Sequence, residues 1–413
     1  MNSRKNIVVM KFGGTSVADP EKIQRAAERA IAEHRRGNAV VVVVSAPGEM
    51  TDELIALAER ITPSPDEREL DQLISTGEQV GISLLAMGCK ARGFDAVSLT
   101  GPQAGIVAIG PPTRAQIQRV RTGNILKHLR AGRIVAVAGF QGMAADGDTV
   151  TLGRGGSDLT AVALASALKT GRCEIFSDVK GVYTADPRIV HDARKLARIS
   201  FEEMLELAGS GAQVMQARSL EVAERFGVEI HVRSAFHPLS GTLVVAKEKL
   251  MLEKAFVSSL AIDKSEVRLS VVGVPDQPGV AAKILGALAA QDIPVDMIIQ
   301  SAPSQNGVND ISFMTPKSFA IKAKKALEGA ARTLRAERVD LNDQVAKISA
   351  VGTGFRHSPK IAARMFSALA EQKINIHMIS ASDLRVSCVV DLAQGETALK
   401  ALHKAYGLAK GRR

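Results

Sequence analysis

The first 245 residues alternate between short runs of β-branched residues and longer amphipathic stretches. We predict strands at NIVVM, AVVVVVS, FDAVSL, RIVAVAGF, CEIFSDV and VEIHVRS, with helices between them such as PEKIQRAAERAIAEHRR and SDLTAVALASALKT. Because several runs are apolar throughout, both faces of their sheet should be covered by helices. The order of elements predicts an α/β domain with a mostly parallel sheet.

The remainder of the chain carries an internal repeat. Residues 281–298, AAKILGALAAQDIPVDMI, align with residues 362–379, AARMFSALAEQKINIHMI, at an offset of 81 with half of the positions identical. Each copy follows a strand end and a proline-containing turn, and each precedes another apolar strand. Two copies are too few for a solenoid, which needs about three or more. The repeat therefore predicts a paired module, with a ligand or a symmetry axis between its copies.

The length and composition indicate a globular protein of several domains. A length of 413 residues corresponds to two to four domains at roughly 100–200 residues each. The formal charge of +10 would suit nucleic-acid binding, but much of the excess lies in KSFAIKAKKALEGAARTLRAER and the final KGRR. These are typical of a solvated helix face and a frayed end. With 3% aromatic residues and no tryptophan, base stacking is disfavoured, so we expect no nucleic-acid partner.

The cysteines and apolar runs bear on the compartment. Cys89, Cys173 and Cys388 are widely spaced and form no CxxC pair, which favours a reducing compartment and disfavours a structural zinc site. Lys11 interrupts the first apolar run, and AVVVVVSAP is far shorter than the ~20 apolar residues of a membrane span. We therefore expect a cytoplasmic protein with no membrane partner.

The segment KFGGTSVAD lies between a predicted strand and a predicted helix. Helix N-termini attract phosphate through free N–H groups and a partial positive charge. Gly13 and Gly14 allow close backbone approach, and Lys11 adds a mobile full charge. Thr15 and Ser16 can either contact phosphate or simply cap the helix. The lysine precedes the glycines, so this is not the GxxxxGK[ST] loop.

A second glycine-rich turn, LGRGGSDLTAVALA, also opens a predicted helix. Arg154 offers a planar fork for a carboxylate or phosphate, whereas Ser157 or Asp158 could merely cap the helix. Two such turns in one α/β domain favour phosphoryl transfer, because both ends of the transferring group must be held.

A third segment, IFSDVKGVYTADPR, places polar residues at the carboxyl end of a strand. Open α/β sheets bind ligands at this edge, although an ordinary Asp–Pro turn would use the same residues. The segments SAPGEMTDEL and STGEQVG are weaker indications, since their polar residues could be caps or turn residues. The candidate residues here are Ser45, Thr51, Glu78, Ser177, Asp178, Tyr183 and Arg188.

Taken together, these segments resemble the successive signatures of the aspartokinase family, in the same order. The segments that show the resemblance are KFGGTSVAD, VVSAPGEMTDELI, STGEQV, GRGGSDLTAVALA and SDVKGVYTADPRIV, followed by FEEMLELAGSGAQVMQARSLEVA and HVRS. The repeated unit resembles the family's paired ACT domains, through VPDQPGVAAKI and INIHMISASDLRVS. The resemblance covers essentially the whole chain.

The resemblance implies a fold and a reaction. The fold would be an amino-acid kinase domain at residues 1–248, a three-layer α/β/α sandwich, followed by ferredoxin-like ACT domains at 249–342 and 343–413. The reaction would transfer the γ-phosphoryl group of ATP to the side-chain carboxylate of L-aspartate, the first step towards lysine, threonine and methionine. The implied cofactors are ATP and Mg²⁺, and we expect no direct protein ligand to the metal.

The resemblance also implies roles for individual residues. Lys11 would stabilise the transferring phosphoryl group, and Asp158 would orient that lysine. The α-ammonium of aspartate would meet Glu78, its carboxylate would meet Arg154, and Thr51 would assist. Further contacts are implied to the substrate at Gly155, Gly156 and Ser157, and to ATP at Gly13, Gly14, Thr15, Ser16, Ser45, Ser177, Asp178, Tyr183 and Arg188.

The sequence departs from the family pattern at two places near the site. Pro47 stands where methionine is usual, a change in the loop before Thr51 that leaves Thr51 itself in place. Gln213 occupies a position that is often a lysine contacting nucleotide phosphate. Because an amide can still donate a hydrogen bond, weaker ATP binding is the expected result rather than inactivity.

The ACT resemblance implies feedback control by lysine or threonine. An amino-acid effector would bind at Asp276, Gly279, Val280, Ala281 and Gln300, unless this is a plain Asp–Pro–Gly turn. In the second copy Lys360 replaces the glycine, which argues against an equal second site. We expect a homodimer or higher oligomer formed through these domains. Two alternatives are another kinase of the same fold, acting on acetylglutamate, carbamate or UMP, and a catalytically inactive amino-acid-binding regulator.

Overall fold

The computed structural model describes residues 6–212, 214–249, 257–302, 307–355 and 358–409, which form two compact units. The first unit comprises residues 6–182, 195–208 and 214–249, and the second comprises 183–194, 209–212 and the described residues from 257 to 409. No helix in these described ranges has the length and apolarity needed to cross a membrane.

The first unit alternates strands and helices along most of its length. Its described elements are β1 (Ile7–Phe12), α1 (Pro20–Arg35), β2 (Ala39–Val44), α2 (Met50–Ile61), α3 (Glu67–Lys90), β3 (Ala96–Leu99), β4 (Ile106–Ile109), β5 (Gln116–Val120), α4 (Gly123–Arg130), β6 (Ile134–Ala138), β7 (Gln141–Met143), β8 (Thr149–Thr151), α5 (Gly156–Ala167), β9 (Arg172–Ser177), β10 (Arg198–Ser200), α6 (Phe201–Gly209), α7 (Ala217–Arg225), β11 (Glu229–Ser234) and β12 (Thr242–Val245).

The main sheet of this unit has eight strands in the order β10-β12-β11-β9-β1-β2-β6-β3. Its pairings are parallel except that between β11 and β12. The six strands expected from the apolar runs are all in this sheet, so the prediction of a mostly parallel sheet is confirmed. A smaller sheet, in the order β5-β4-β7-β8, was not anticipated from the sequence.

The two faces of the main sheet bury different helices. Met10 and Phe12 of β1 belong to a core that includes buried residues of α1 and α3. Side chains alternate across a strand, so Lys11, between them, lies on the opposite face. That face is covered by α5, which contacts β1, β2 and β9. The alternation of three consecutive residues therefore directs Lys11 towards the start of α5.

The second unit contains two four-stranded antiparallel sheets, in the orders β15-β16-β14-β17 and β13-β18-β20-β19. Its described elements are β13 (Ser259–Asp263), β14 (Glu266–Pro275), α8 (Val280–Ala289), β15 (Asp296–Gln300), β16 (Val308–Pro316), α9 (Ala320–Leu334), β17 (Arg338–Asn342), β18 (Val345–Val351), α10 (Pro359–Glu371), β19 (Met378–Ala381), β20 (Arg385–Asp391) and α11 (Gly395–Ala405).

The repeat corresponds to two modules that each consist of four strands and two helices. The first module reads strand, helix, strand, strand, helix, strand from β14 to β17. The second runs from β18 to α11, and its fourth strand is β13, which precedes the first module and pairs with β18. The first ACT domain that we predicted at residues 249–342 therefore includes β13, which is a strand of the second module's sheet.

A buried lysine links the two sheets of the second unit. Lys347 of β18 is fully buried, and its Nζ lies 2.8 Å from Glu266 Oε2 on β14 and 2.7 Å from Asp296 Oδ2 on β15. Burial alone would lower the pKa of Lys347, but the two carboxylates outweigh this effect and raise it. The same region holds an apolar cluster of Met297, Met314, Val345, Met378 and Val389, which joins the two modules.

We expect Lys347→Met to destabilise the second unit strongly. Removing the cation leaves the partly buried carboxylates of Glu266 and Asp296 without their charge partner. Breaking a buried ion pair typically costs about 3–5 kcal/mol. Urea unfolding of the full chain measures the loss. The matched control is Lys264→Met, because the Lys264–Glu396 pair is exposed and such pairs contribute little. Equal effects of the two substitutions would contradict a structural role for the buried cluster.

Candidate active site

The site forms where parallel strands of the main sheet end at one edge. After β1 the backbone at Gly14 passes close to the segment after β2, and Gly48 N donates to Gly14 O at 3.1 Å. A Cβ added at Gly14 would lie 2.8 Å from Ala46 O, closer than side chains tolerate. Glycine is therefore required here for the two loops to meet.

The helix after this segment begins later than its sequence suggested. Residues Gly14–Val17 form a single 3₁₀ turn, and α1 starts at Pro20 with Asp19 as its cap, accepting from Lys22 N at 2.8 Å. The interpretation of Thr15 or Ser16 as helix caps is wrong. Thr15 is exposed, while the Ser16 hydroxyl is buried and has no hydrogen-bond partner among the described residues.

The second glycine-rich turn brings an acid to Lys11. Gly155 adopts φ +74°, a left-handed conformation that favours glycine, and α5 follows at once. Ser157 and Asp158 lie inside the first turn of α5. The interpretation of either residue as the helix cap is therefore also wrong. Instead Asp158 Oδ1 lies 2.6 Å from Lys11 Nζ, with both side chains 12% exposed.

A second carboxyl group enters the cleft from α3. Glu78 is 3% exposed; one of its oxygens accepts from Ala46 N at 3.1 Å, and Oε2 is buried with no hydrogen-bond partner among the described residues. Burial raises the pKa of Glu78 from 4.5 to about 7. A buried acceptor of this kind is suited to a cationic donor brought by a ligand.

These groups line one cleft of about 280 Å³. It combines an ammonium group, two carboxyl groups and glycine backbones, which suits a ligand with both anionic and cationic ends. Ala46, Gly48 and Phe140 were not expected; only Gly48, in SAPGEM, had a sequence signal, as a turn glycine. The expected residues that line the cleft are Lys11, Gly14, Ser45, Thr51, Glu78, Gly155, Gly156, Ser157 and Asp158.

Other expected residues of the first unit lie beside the cleft lining rather than in it. Gly13 donates its N–H to Phe176 O at 3.3 Å, which ties the Lys11 segment to the end of β9. Ser177 ends β9, as expected, and its hydroxyl donates to Asp178 Oδ1 at 2.8 Å. Arg154 immediately precedes Gly155 but has an exposed side chain.

Two expected nucleotide contacts belong to the second unit. Tyr183 packs against its hydrophobic core, and Arg188 is exposed and bonds to Asp186, with Nη2 2.7 Å from Oδ2. They therefore belong to a different unit from the residues that line the cleft. Gln213 lies outside the described residues.

The expected effector residues cluster at one end of the first module. Asp276 accepts from Asn309 Nδ2 at 3.1 Å, and Gly279, at φ +91°, precedes α8, whose first residues are Val280 and Ala281. Gln300 ends β15 and is exposed. The second module differs, because Lys360, 81 residues after Gly279, lies inside α10.

The two parts of the chain match known protein families. Residues 6–234 match the amino acid kinase family model, and residues 269–330 and 348–406 match an ACT domain model. The chain is 44% identical over 405 residues to an aspartokinase of Mycolicibacterium smegmatis, covering 97% of this chain and 96% of that protein. It is 45% identical to an aspartate kinase of Pseudomonas putida, covering 97% and 98%.

Solved structures agree with the sequence relatives. The chain resembles E. coli aspartokinase III in complex with aspartate and ADP, with a TM-score of 0.80 and 27% identity, covering 97% of this chain and 99% of that one. It also resembles the same enzyme in complex with lysine and aspartate, with a TM-score of 0.76 and 26% identity over 97% and 99% of the two chains.

We expect Glu78 to make stability fall as pH rises from about 5 to 7.5. Between the unfolded pKa near 4.5 and the folded pKa of about 7, the folded protein holds a proton that the unfolded chain releases, so unfolding becomes easier with rising pH. Urea unfolding of wild type and Glu78→Gln at several pH values tests this, since the variant should lack this component.

Glu229→Gln is the matched control for this titration. Burial alone would raise the pKa of Glu229, but hydrogen bonds from Lys249 and Arg172 outweigh burial and lower it. The difference between wild type and this variant should therefore stay constant above pH 5. A wild type whose stability relative to Glu78→Gln does not change with pH would contradict the raised pKa of Glu78.

Proposed function

The chain belongs to the aspartokinase family, and we propose that the cleft around Lys11 and Asp158 is where it acts. The protein is an aspartate kinase: it transfers the γ-phosphoryl group of ATP to the side-chain carboxylate of L-aspartate, giving 4-phospho-L-aspartate and ADP. The observation that supports this location is the Lys11–Asp158 pair at 2.6 Å, beside the unpartnered oxygen of Glu78.

Lys11 supplies the charge that the reaction needs. A carboxylate that approaches a polyphosphate brings negative charges together, so the transition state requires alignment and neutralisation more than a base. Asp158 holds the lysine ammonium at the cleft before substrates arrive. The backbone of Gly14, with Thr15 and the buried hydroxyl of Ser16, lies next to it as further donors to phosphate. Gly13, whose N–H is bonded to Phe176 O, contributes by allowing the phosphate to approach the backbone closely.

The amino acid is held by groups of opposite charge. Glu78 receives the α-ammonium at its unpartnered oxygen, and Thr51 lies in the same lining. Arg154 reaches a substrate carboxylate from the loop before α5, and Gly155, Gly156 and Ser157 offer the start of that helix. An isolated carboxyl with a pKa of about 7 becomes ionised more easily when an ammonium group binds beside it.

The nucleotide is assigned to the carboxyl ends of β2 and β9. Ser45, Ser177 and Asp178 lie there, while Tyr183 and Arg188 remain assignments from the family resemblance alone. No group of three or more His, Cys, Asp or Glu in the described ranges is arranged to hold a metal ion. As the family resemblance implies, we treat Mg²⁺ as part of the Mg–ATP substrate and assign no protein-held metal step.

We expect Lys11→Ala to lower kcat by about 10²–10³-fold, the usual cost of losing one preorganised electrostatic group. The KM values should change less, because the lysine acts mainly on the transferring phosphoryl group. Aspartate-dependent ADP formation measures both, and Lys22→Ala, at a lysine paired with the capping Asp19, is the control.

The same assay separates the alternatives. A wild type that releases ADP with acetylglutamate, carbamate or UMP but not with aspartate would support another kinase of the fold. A wild type with no aspartate-dependent turnover above buffer would support an inactive regulator. Normal turnover in Lys11→Ala would remove the lysine from the mechanism.

We also assign feedback inhibition by lysine, threonine or both to the first regulatory module. Asp276 would meet the effector ammonium, the start of α8 after Gly279 its carboxylate, and Gln300 a further polar group. The presence of lysine in the related E. coli structure supports this class of effector. In the second module the positions of Gly279 and Gln300 are Lys360 and Ala381, so we expect one effector class for each pair.

We expect Asp276→Asn to raise the lysine or threonine concentration that half-inhibits the enzyme by about tenfold, the cost of a lost charge-assisted bond. Basal turnover should be unchanged. Asp292→Asn, at an exposed turn beyond the other end of α8, removes the same charge as a control. If neither amino acid changes the wild-type rate, the regulatory assignment fails and the kinase assignment survives.

Two exposed isoleucines and three buried thiols bear on the assembly and the compartment of the protein. Ile298 and Ile379, which are equivalent positions of the repeat, are each about half exposed on β15 and β19, and we propose that a second copy of the chain covers them. Cys89, Cys173 and Cys388 are buried and unpaired, which favours a reducing compartment such as the cytoplasm.

A further inference from the structure

Asp71 is a buried carboxyl group of α3 that the reaction described above does not use. Its side chain accepts three hydrogen bonds: Thr113 N and Thr151 N donate to Oδ2 at 2.9 and 2.8 Å, and Thr151 Oγ1 donates to Oδ1 at 2.6 Å. Asp71 and Thr151 are both fully buried. A single side chain thus fixes two separate backbone segments to one helix.

Both of these segments adjoin the substrate loop. Thr151 ends β8, and Leu152, Gly153 and Arg154 follow it directly. Thr113 has φ +63°, an uncommon conformation for a β-branched residue, and its carbonyl oxygen would lie 3.0 Å from a Cβ at Gly153. Asp71 therefore stabilises a strained residue that packs against the loop carrying Arg154.

The loop is restrained from its other side as well. Arg218 of α7 donates from Nη1 to Leu152 O at 2.7 Å and from Nη2 to Ala115 O at 2.9 Å. The backbone at 151–152 is thus held between α3 and α7. Arg154 itself is exposed, so its reach towards the cleft is set by where this anchored backbone lies.

Asp71 and Glu78 are seven residues apart on one helix, which is two turns. They face the same side of α3, about 10 Å apart along its axis. One rigid element therefore carries the carboxyl assigned to the substrate ammonium and the anchor of the loop assigned to its carboxylate. The spacing between the two ends of the amino-acid clamp is built into α3.

We propose that Asp71 is a positioning residue that sets this spacing and so restricts the acceptor to a four-carbon dicarboxylic amino acid. The inference rests on the proposed roles of Glu78 and Arg154. Loss of the anchor would let the loop shift, which weakens aspartate capture and admits a substrate one methylene longer. The nucleotide contacts at β2 and β9 lie outside this anchor and should be unaffected.

The test compares Asp71→Leu with Asp71→Asn in the full chain. Leucine removes all three acceptors at similar volume. Asparagine keeps an oxygen for the two N–H donors, and its NH₂ can donate to the Thr151 hydroxyl, which can also accept. We expect Asp71→Leu to raise the KM for L-aspartate at least about tenfold, leave the KM for ATP within about twofold, and lower the preference for L-aspartate over L-glutamate. Asp71→Asn should restore most of the wild-type values.

Glu203→Met is the matched control for loss of a buried carboxyl. Glu203 is also fully buried in the first unit and accepts from Ser200 N and Oγ. It lies in α6, directly after β10, which is at the opposite edge of the main sheet from β3, the edge strand that α3 contacts. It should lower stability without changing the KM for aspartate. Thr151→Val, which removes only the hydroxyl donor, is the second variant should Asp71→Leu fail to fold, and it should raise the same KM by a few-fold.

The outcomes separate this inference from the proposed function. A wild type that turns over aspartate, with unchanged KM for aspartate in Asp71→Leu or in Thr151→Val, would overturn the positioning role alone. Equal rises in the KM for aspartate and for ATP would also overturn it, since they indicate general damage. A wild type that neither turns over nor binds aspartate by calorimetry would overturn both.

Discussion

The ion pair between Lys11 and Asp158 connects the central strand β1 to the helix α5 at the cleft of the first unit. Buried ion pairs are poor stabilising devices, because desolvation offsets much of their attraction. A pair that is 12% exposed on each side at the edge of a cleft is therefore better explained by function than by stability. It joins β1 to the start of α5, so the sheet and the helix hold one cation at the edge of the cleft, where we propose that phosphate and carboxylate approach each other.

In the proposed mechanism, the groups that need a fixed position lie on regular elements, and those that approach a ligand from outside lie on loops. Glu78 is held by α3 and Lys11 by a central strand, whereas Thr15 and Arg154 are exposed. The close contact of Gly14 with the carbonyl of Ala46 makes the two loops one surface. Such a division gives accurate charges at the reacting centre and adjustable contacts around it.

Sequence patterns predicted the elements that are long, apolar and regular, and they missed those fixed by tertiary contacts. The apolar strands and the repeated helices were found because burial on a face leaves a period in the sequence. The strands of the small sheet are short and partly polar, and β13 joins the second module by a pairing that no local pattern encodes. Thr15 and Ser157 satisfied the preference for helix caps, yet Asp19 caps α1 and Gly155 precedes α5. Asp71 gave no signal, since its three partners come from segments far away in the chain.

The same reasoning explains why the two regulatory modules, though repeated in sequence, are unequal in chemistry. The shared fold needs only the apolar positions, and these are retained in both copies. The residues at the starts of the equivalent helices have diverged, since Lys360 stands in the second copy where the first has Gly279. The divergence matters because the modules are not independent: β15 carries Asp296, held by the buried Lys347 of the second module, and ends four residues later at Gln300. A ligand that contacts Gln300 therefore acts on a strand that both modules hold. An effector can shift such a structure only through unequal affinity for its states, and a strand of one sheet that is ion-paired to the other is a place where those states can differ.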